Sequence, residues 1–324
     1  METTLVERSG GSGALSPRLQ AAHRTAEEFL RAAKAENTRR AYRAAWEAFL
    51  GWCEATEQRS LPASPDVLVL YLSELAGRGR HPSTIHQALS AIRAAHEAAG
   101  YRPSPTVDPL VREAMRGVRR RLGVAPYRQV DALLTDSLRL MLTTCVGVTG
   151  ERDRALLLLG FGAALRRSEL VALDVEDVRV EQGLRVRIRR SKTDQEGRSA
   201  EEGIVAGQRA DLDPVEAFLA WREVLRADTG PLFRPIDRWD NIQDRRLLSG
   251  SVAQIIQRRA ILAGLPGDYA GHSLRAGFAT QAAMNRAPEM AIMQHGRWRK
   301  LETVSRYIRK GTIWHDNASA YLGL

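Results

Sequence analysis

Period-two alternation of apolar and polar residues, the mark of a half-buried strand, does not occur in this chain before residue 180. Its best instance is one short run, Leu184-Arg-Val-Arg-Ile-Arg189. The sequence ahead of it has helical period, broken by proline and glycine. Such a chain is mainly α, with a small antiparallel sheet in an α+β second part. Its 324 residues suffice for two domains with separate cores.

Residues 1–18 include Ser9-Gly-Gly-Ser-Gly13 and read as a flexible tail. Leu19, His23, Ala26 and Leu30 repeat at helix spacing, and Asn37-Thr38 offers an N-cap for a second helix. That helix carries Tyr42, Trp46, Phe49 and Leu50 on one side and Arg39, Arg40 and Arg43 near its start. Pro62 and Pro65 precede a helix at 66–75, ended by Gly77 and Gly79. His81-Pro82-Ser83-Thr84 opens a fourth, with Ile85, Leu89 and Ile92 inward and His86, Gln87 and Arg93 outward. A fifth spans 108–122. Residues 19–122 thus form a helical unit. The basic stretch from Arg119-Arg120-Arg121 through Pro126 to Arg128 reads as an interdomain connector, placed at 123–130. It suits a phosphate backbone, and equally a solvated link.

The second unit covers 131–324. Thr135 is the expected cap of a helix reaching Cys145, and 151–165 is a buried apolar helix. The strand at 184–189 pairs with 203–206 across a turn containing Asp194 and Gly197. Helices follow at 214–225, 251–263, 272–285, 288–294 and 302–310. The end of the chain, from about 312, carries Ile313, Trp314, Ala318, Tyr321 and Leu322, apolar residues suited to packing on a neighbour or on their own domain.

A net charge of +10 points to a polyanionic partner, most simply nucleic acid. Four of the 48 basic residues are lysine and 44 are arginine, a bias that a GC-rich genome also produces. Charge alone therefore does not establish DNA binding. Two cysteines, Cys53 and Cys145, exclude a disulfide framework or a thiolate metal cluster. The N-terminus lacks the pattern of a signal peptide, and the longest apolar run, 155–165, is too short for a membrane span. The expectation is a cytoplasmic protein with no membrane partner.

Gly271-His-Ser-Leu-Arg-Ala-Gly277 and Gln294-His-Gly-Arg-Trp298 are hard to explain as core packing. His272 and Arg275 are three apart and share a helix face. Histidine exchanges protons near neutrality, and an arginine one turn away can neutralise charge on the same phosphate. Metal binding is the competing idea, but no second His, Asp or Glu sits at ligand spacing. His295 is a rival proton-transfer group. Nine residues after Trp298, Tyr307 lies between Arg306 and Arg309, a setting for a nucleophilic phenol, although most tyrosines are structural. Arg166 aimed at a phosphate with Glu169 behind it is a weaker signal, since the same spacing makes a surface ion pair. Lys192, in Arg190-Ser-Lys-Thr193, is a lysine where the chain otherwise writes arginine; only lysine can exchange a proton there.

Ala164-Leu-Arg166-Arg-Ser-Glu169-Leu, Ser191-Lys192-Thr, His272-Ser-Leu-Arg275, Trp298 and Tyr307, in this order, resemble the tyrosine recombinase (phage integrase) family. The stretch from Ile292 to Arg309 is most like its Cre-type members. The likeness covers nearly the whole chain. It implies a helical core-binding domain and a catalytic domain that clamp duplex DNA. It also implies that Tyr307 attacks the scissile phosphate to give a 3′-phosphotyrosyl link, with Arg166 and Arg275 on the non-bridging oxygens. Lys192 would then protonate the leaving oxygen, His272 would handle the tyrosine proton, Trp298 would donate or pack against the phosphate, and Glu169 would organise Arg166.

No cofactor or metal is implied. The partners implied are a double-stranded recombination site and a homotetramer on DNA, with a monomer or weak oligomer without it and an oligomerisation segment at about 312–324. Thr38, Arg39, Arg40, Arg43, Ser83, His86, Gln87, Arg119, Arg120 and Arg121 are the expected DNA contacts. Two departures stand out: tryptophan at 298, where most members have histidine, and Ala164 for the common glycine, expected to affect packing more than chemistry. The competing functions are a type IB topoisomerase and a DNA-binding protein without catalysis.

Overall fold

The structure, a computed structural model, describes residues 36–125, 130–189 and 199–314, with Thr25, Phe29, Asn317, Ser319 and Leu322. The chain divides into two compact units, Met1–Arg128 and Gln129–Leu324. The helix expected at the start of the first unit, the turn with Asp194 and Gly197, and most of the C-terminal segment lie outside the described residues.

The first unit contains α1 (Glu36–Ala55), α2 (Pro65–Gly77), α3 (Pro82–Ala98) and α4 (Pro109–Leu122). The last three each start on a proline, whose missing N–H costs nothing at that position. A side chain ahead of each proline caps the first turn. Ser64 accepts from the Val67 N–H at 3.3 Å, His81 from Ser83 at 3.2 Å and Asp108 from Leu110 at 2.8 Å. Helix α1 packs on α3, and α2 on α4, around Phe49, Leu68, Leu72, Ile85, Ile92 and Val111.

Two expectations for α1 need correction. Asn37 and Thr38 are helical residues rather than caps, because the helix already includes Glu36. Leu50 is 37% exposed, and Cys53 fills the core instead, since the helical repeat from Trp46 and Phe49 next faces inward at 53.

In the second unit, α5 (Thr135–Thr143), α6 (Gly147–Gly162) and α7 (Arg167–Ala172) precede the sheet. Strands β1 (Val178–Val180), β2 (Gly183–Ile188) and β3 (Ala200–Val205) form it in that order, antiparallel throughout. Leu184, Val186 and Ile188 face the core, and Arg185 and Arg187 alternate outward, as the pattern requires. Helices α8 (Pro214–Leu225), α9 (Ser249–Leu262), α10 (Ser273–Met284), α11 (Glu289–His295) and α12 (Leu301–Thr312) follow. No helix among the described residues is long and apolar enough to cross a membrane.

Thr135 is the first residue of α5 rather than its cap, and its N–H is satisfied by Gln281 Oε1 at 3.1 Å. Helix α6 begins and ends earlier than the apolar run suggests. Ala164 turns left-handed (φ 47°), and the Leu165 N–H closes back on the Gly160 carbonyl at 3.0 Å. That reversal frees Arg166 to start α7; neither this helix nor β1, which begins before residue 180, is marked by the sequence pattern. Helix α10 packs on both α6 and α12. A side chain at Gly277 would place its Cβ 2.0 Å from the Leu133 carbonyl oxygen, so only glycine allows this approach.

Candidate active site and nucleic-acid interface

Arg166 is the N-cap of α7. Its backbone N–H donates to Glu169 Oε2 at 3.0 Å, while its guanidinium pairs with Glu169 Oε1. The Glu169 side chain is 1% exposed, so the arginine is gripped from behind by a buried carboxylate. Arg275, one turn into α10, is buried and donates to the carbonyls of Ala164 and Gly296. Its guanidinium carbon stands 4.1 Å from the centre of the Trp298 ring. The indole in turn lies against Gly296, where a Cβ would come within 1.7 Å of it.

Helix α12 buries Val304, Tyr307 and Ile308 against α10 and α11. The Tyr307 hydroxyl meets His272 Nε2 at 3.0 Å and accepts from Arg306 Nη2 at 2.8 Å. His272, at the N-cap of α10, keeps part of its surface open to solvent. Burial of the ring, then Arg275, Arg306, Arg166 and Arg167, hold its pKa below the ordinary value. Burial, followed by Arg166, pulls Arg275 down to about 9, which still leaves it charged at neutral pH. The result is a pocket of concentrated positive charge around a neutral imidazole and a phenol. That combination suits an anion and the transfer of one proton.

Arg166, Glu169, His272, Arg275, Trp298 and Tyr307 therefore converge. Lys192 lies outside the described residues. His295, the rival to His272, is otherwise engaged: its Nε2 donates to the Gly162 carbonyl at 2.7 Å and its ring stacks on Phe278 at 4.6 Å. Arg306 stands out in the sequence only as a neighbour of Tyr307, Arg297 only as part of Gln294-His-Gly-Arg-Trp298, and Glu202 not at all. Both of the latter enter the site through tertiary contacts alone. Among the described residues, no group of three or more His, Cys, Asp or Glu could hold a metal ion.

In the first unit, Thr38, Arg39, Arg40 and Arg43 are exposed on α1, and Ser83, His86 and Gln87 on α3. Arg40 is 3.6 Å from Glu36, a solvent-exposed pair of little energetic weight. Arg119, Arg120 and Arg121 form the exposed last turn of α4 rather than a connector. His86, Arg93, Arg112, Arg116 and Arg119 line one cleft of about 620 Å³ between α3 and α4.

Residues 132–312 match the phage integrase family, and residues 27–100 match the N-terminal SAM-like domain of phage integrases. The chain belongs to the phage integrase family. It is thereby a tyrosine recombinase, and the two matched segments fall on opposite sides of the break between its units. It is 38% identical over 295 residues to the XerD integrase/recombinase homologue of Selenomonas ruminantium, covering 89% of this chain and 86% of that protein. To the Cre recombinase of Escherichia phage P1 it is 24% identical over 303 residues, covering 86% and 85%. In fold it is similar to a lambda integrase dimer bound to a core site (TM-score 0.57, 16% identity, 92% of this chain and 83% of that one). It is also similar to the XerH recombinase in a pre-cleavage complex with its difH substrate (TM-score 0.54, 18% identity, 83% and 76%).

Proposed function

We propose that this chain is a site-specific DNA recombinase that cuts and rejoins duplex DNA through a 3′-phosphotyrosine at Tyr307. The observation that supports this most is the double hold on the Tyr307 hydroxyl, by His272 at 3.0 Å and Arg306 at 2.8 Å, beside the Arg166 and Arg275 guanidiniums. His272, neutral near pH 7, takes the phenol proton as the tyrosine oxygen bonds to phosphorus. The bond from phosphorus to the 5′ oxygen breaks, and Lys192 supplies the proton that makes the 5′-hydroxyl. Arg275 has five N–H donors and spends two on backbone carbonyls, leaving others for a non-bridging oxygen. Arg166, held by Glu169, faces the second. Attack by another duplex's 5′-hydroxyl reverses these steps and joins the new pair, which conserves the phosphoester bond and needs no ATP.

Strand exchange requires two sites together, so the proposed working form is a homotetramer on two duplexes. The basic helices of the first unit are the proposed grip on phosphates and major groove. The test is a duplex selected for binding from a random pool and nicked so that the short fragment carrying the new 5′-hydroxyl is lost. Wild-type protein should form a covalent adduct resistant to detergent, and Tyr307→Phe should bind equally but form none. Binding by both with an adduct from neither would leave a DNA-binding protein without catalysis. Relaxation of supercoils without exchange between two cognate duplexes would make the chain a topoisomerase instead.

A further inference from the structure

We infer that Arg297 is a positioning residue, whose guanidinium sets the carboxylate that orients Arg166 and ties that pair to strand β3. This rests on the recombinase reading above. Arg297 sits between Gly296 and Trp298 with φ 57°, a left-handed backbone that side chains rarely adopt. Its side chain is 11% exposed. Nη2 lies 3.2 Å from Glu169 Oε2, and Nη1 lies 3.0 Å from Glu202 Oε1 on β3. The same guanidinium donates to the carbonyls of His295 at 3.0 Å, Ala163 at 3.2 Å and Ala164 at 3.4 Å.

These contacts converge on the candidate site. Each oxygen of Glu169 has its own guanidinium, Arg166 on Oε1 and Arg297 on Oε2. With both in place the carboxylate cannot rotate, and Arg166 is held in one direction. Without Arg297, the carboxylate is held by Arg166 alone, and the pair loses its tie to Arg297 and strand β3. The Ala164 carbonyl is shared with Arg275, so one backbone turn carries both phosphate-facing arginines. An arginine that strains its backbone and buries its charge, with Nε left unpartnered, is costly as mere filler. Such strain persists where the surroundings impose it, and it clusters at working sites.

Glycine accepts φ 57° freely, so Arg297→Gly removes the guanidinium without opposing the backbone. A double variant, Arg297→Gly with Glu202→Gln, avoids leaving the half-buried Glu202 carboxylate with only His295 Nδ1, 3.8 Å away, to offset its charge. Adduct formation by wild-type protein on the nicked duplex checks the recombinase reading separately. Both variants should bind that duplex as tightly as wild type and cleave it about 10- to 100-fold more slowly, the cost of a misplacement near 1 Å. On a duplex with a neutral methylphosphonate at the scissile position, the non-bridging charge that Arg166 faces is absent. The defect should shrink there, as it should for Arg166→Ala. Wild-type cleavage rates, equal slowing on both duplexes, weakened binding, or a double variant that fails to fold would each overturn the inference.

Discussion

His272 is held neutral by burial and by four arginines, so protonating it brings a fifth positive charge into the cluster. Its folded pKa lies below the unfolded value of 6.5. The stability this provides is complete above that unfolded value and is lost as pH falls through the folded one. Cleavage should follow the same sign, because imidazolium cannot accept the phenol proton. Single-turnover adduct formation, measured from about pH 5 to about pH 8, should rise with pH and level off by about 6.5. A rate that instead falls across this range would remove His272 as the base. Ala164 is a second residue-scale case. It is expected to affect packing more than chemistry; it is buried, and its φ of 47° adds a cost in backbone conformation that glycine would not carry. Ala164→Gly should stabilise the chain by about 1 kcal/mol in urea unfolding, with cleavage unchanged because the carbonyl that receives Arg275 remains.

Helices α10 and α12 carry most of the candidate site, and their seating depends on close backbone approaches. Gly277→Ala would drive a methyl into the Leu133 carbonyl and separate α10 from the segment before α5. We expect a loss of about 1–3 kcal/mol in chemical unfolding and a matching fall in adduct yield, since His272 and Arg275 ride on α10. An unchanged midpoint would mean that the neighbouring segment yields freely. Elements at this scale were legible where local rules are strong. The helices expected at 66–75 and 108–122, and the one opened by His81-Pro82, were legible because proline and apolar period act within a turn or two. The stop of α6 and the start of α7 were not legible. A left-handed alanine there replaces the glycine that would have signalled the turn, and the apolar run continues through it.

Across the whole molecule, the net charge of +10 has its clearest consequence in salt dependence. If Arg39, Arg40 and Arg43 each neutralise a phosphate, replacing all three with alanine should lessen the log–log salt slope of duplex binding by up to about 3. Adduct formation at saturating protein should persist, because the proposed nucleophile, Tyr307, lies in the other unit. An unchanged slope would place the phosphate grip elsewhere, for instance along the cleft lined by Arg112, Arg116 and Arg119.

Residue type and order along the chain determined the helical first unit, the small sheet and the identities of the groups suited to phosphate chemistry. Those properties are local: helix period, caps, and the distinct chemistry of His, Arg, Lys and Tyr. Tertiary structure alone decided which histidine meets Tyr307. His272 and His295 look alike in sequence, but the second is drawn to the Gly162 carbonyl and Phe278. Tertiary structure also decided that Arg297 and Glu202, 95 positions apart in number, share one ion pair beside Glu169. Contacts across such separations depend on how α6, β3 and α11 pack, and no short-range pattern in the chain encodes that.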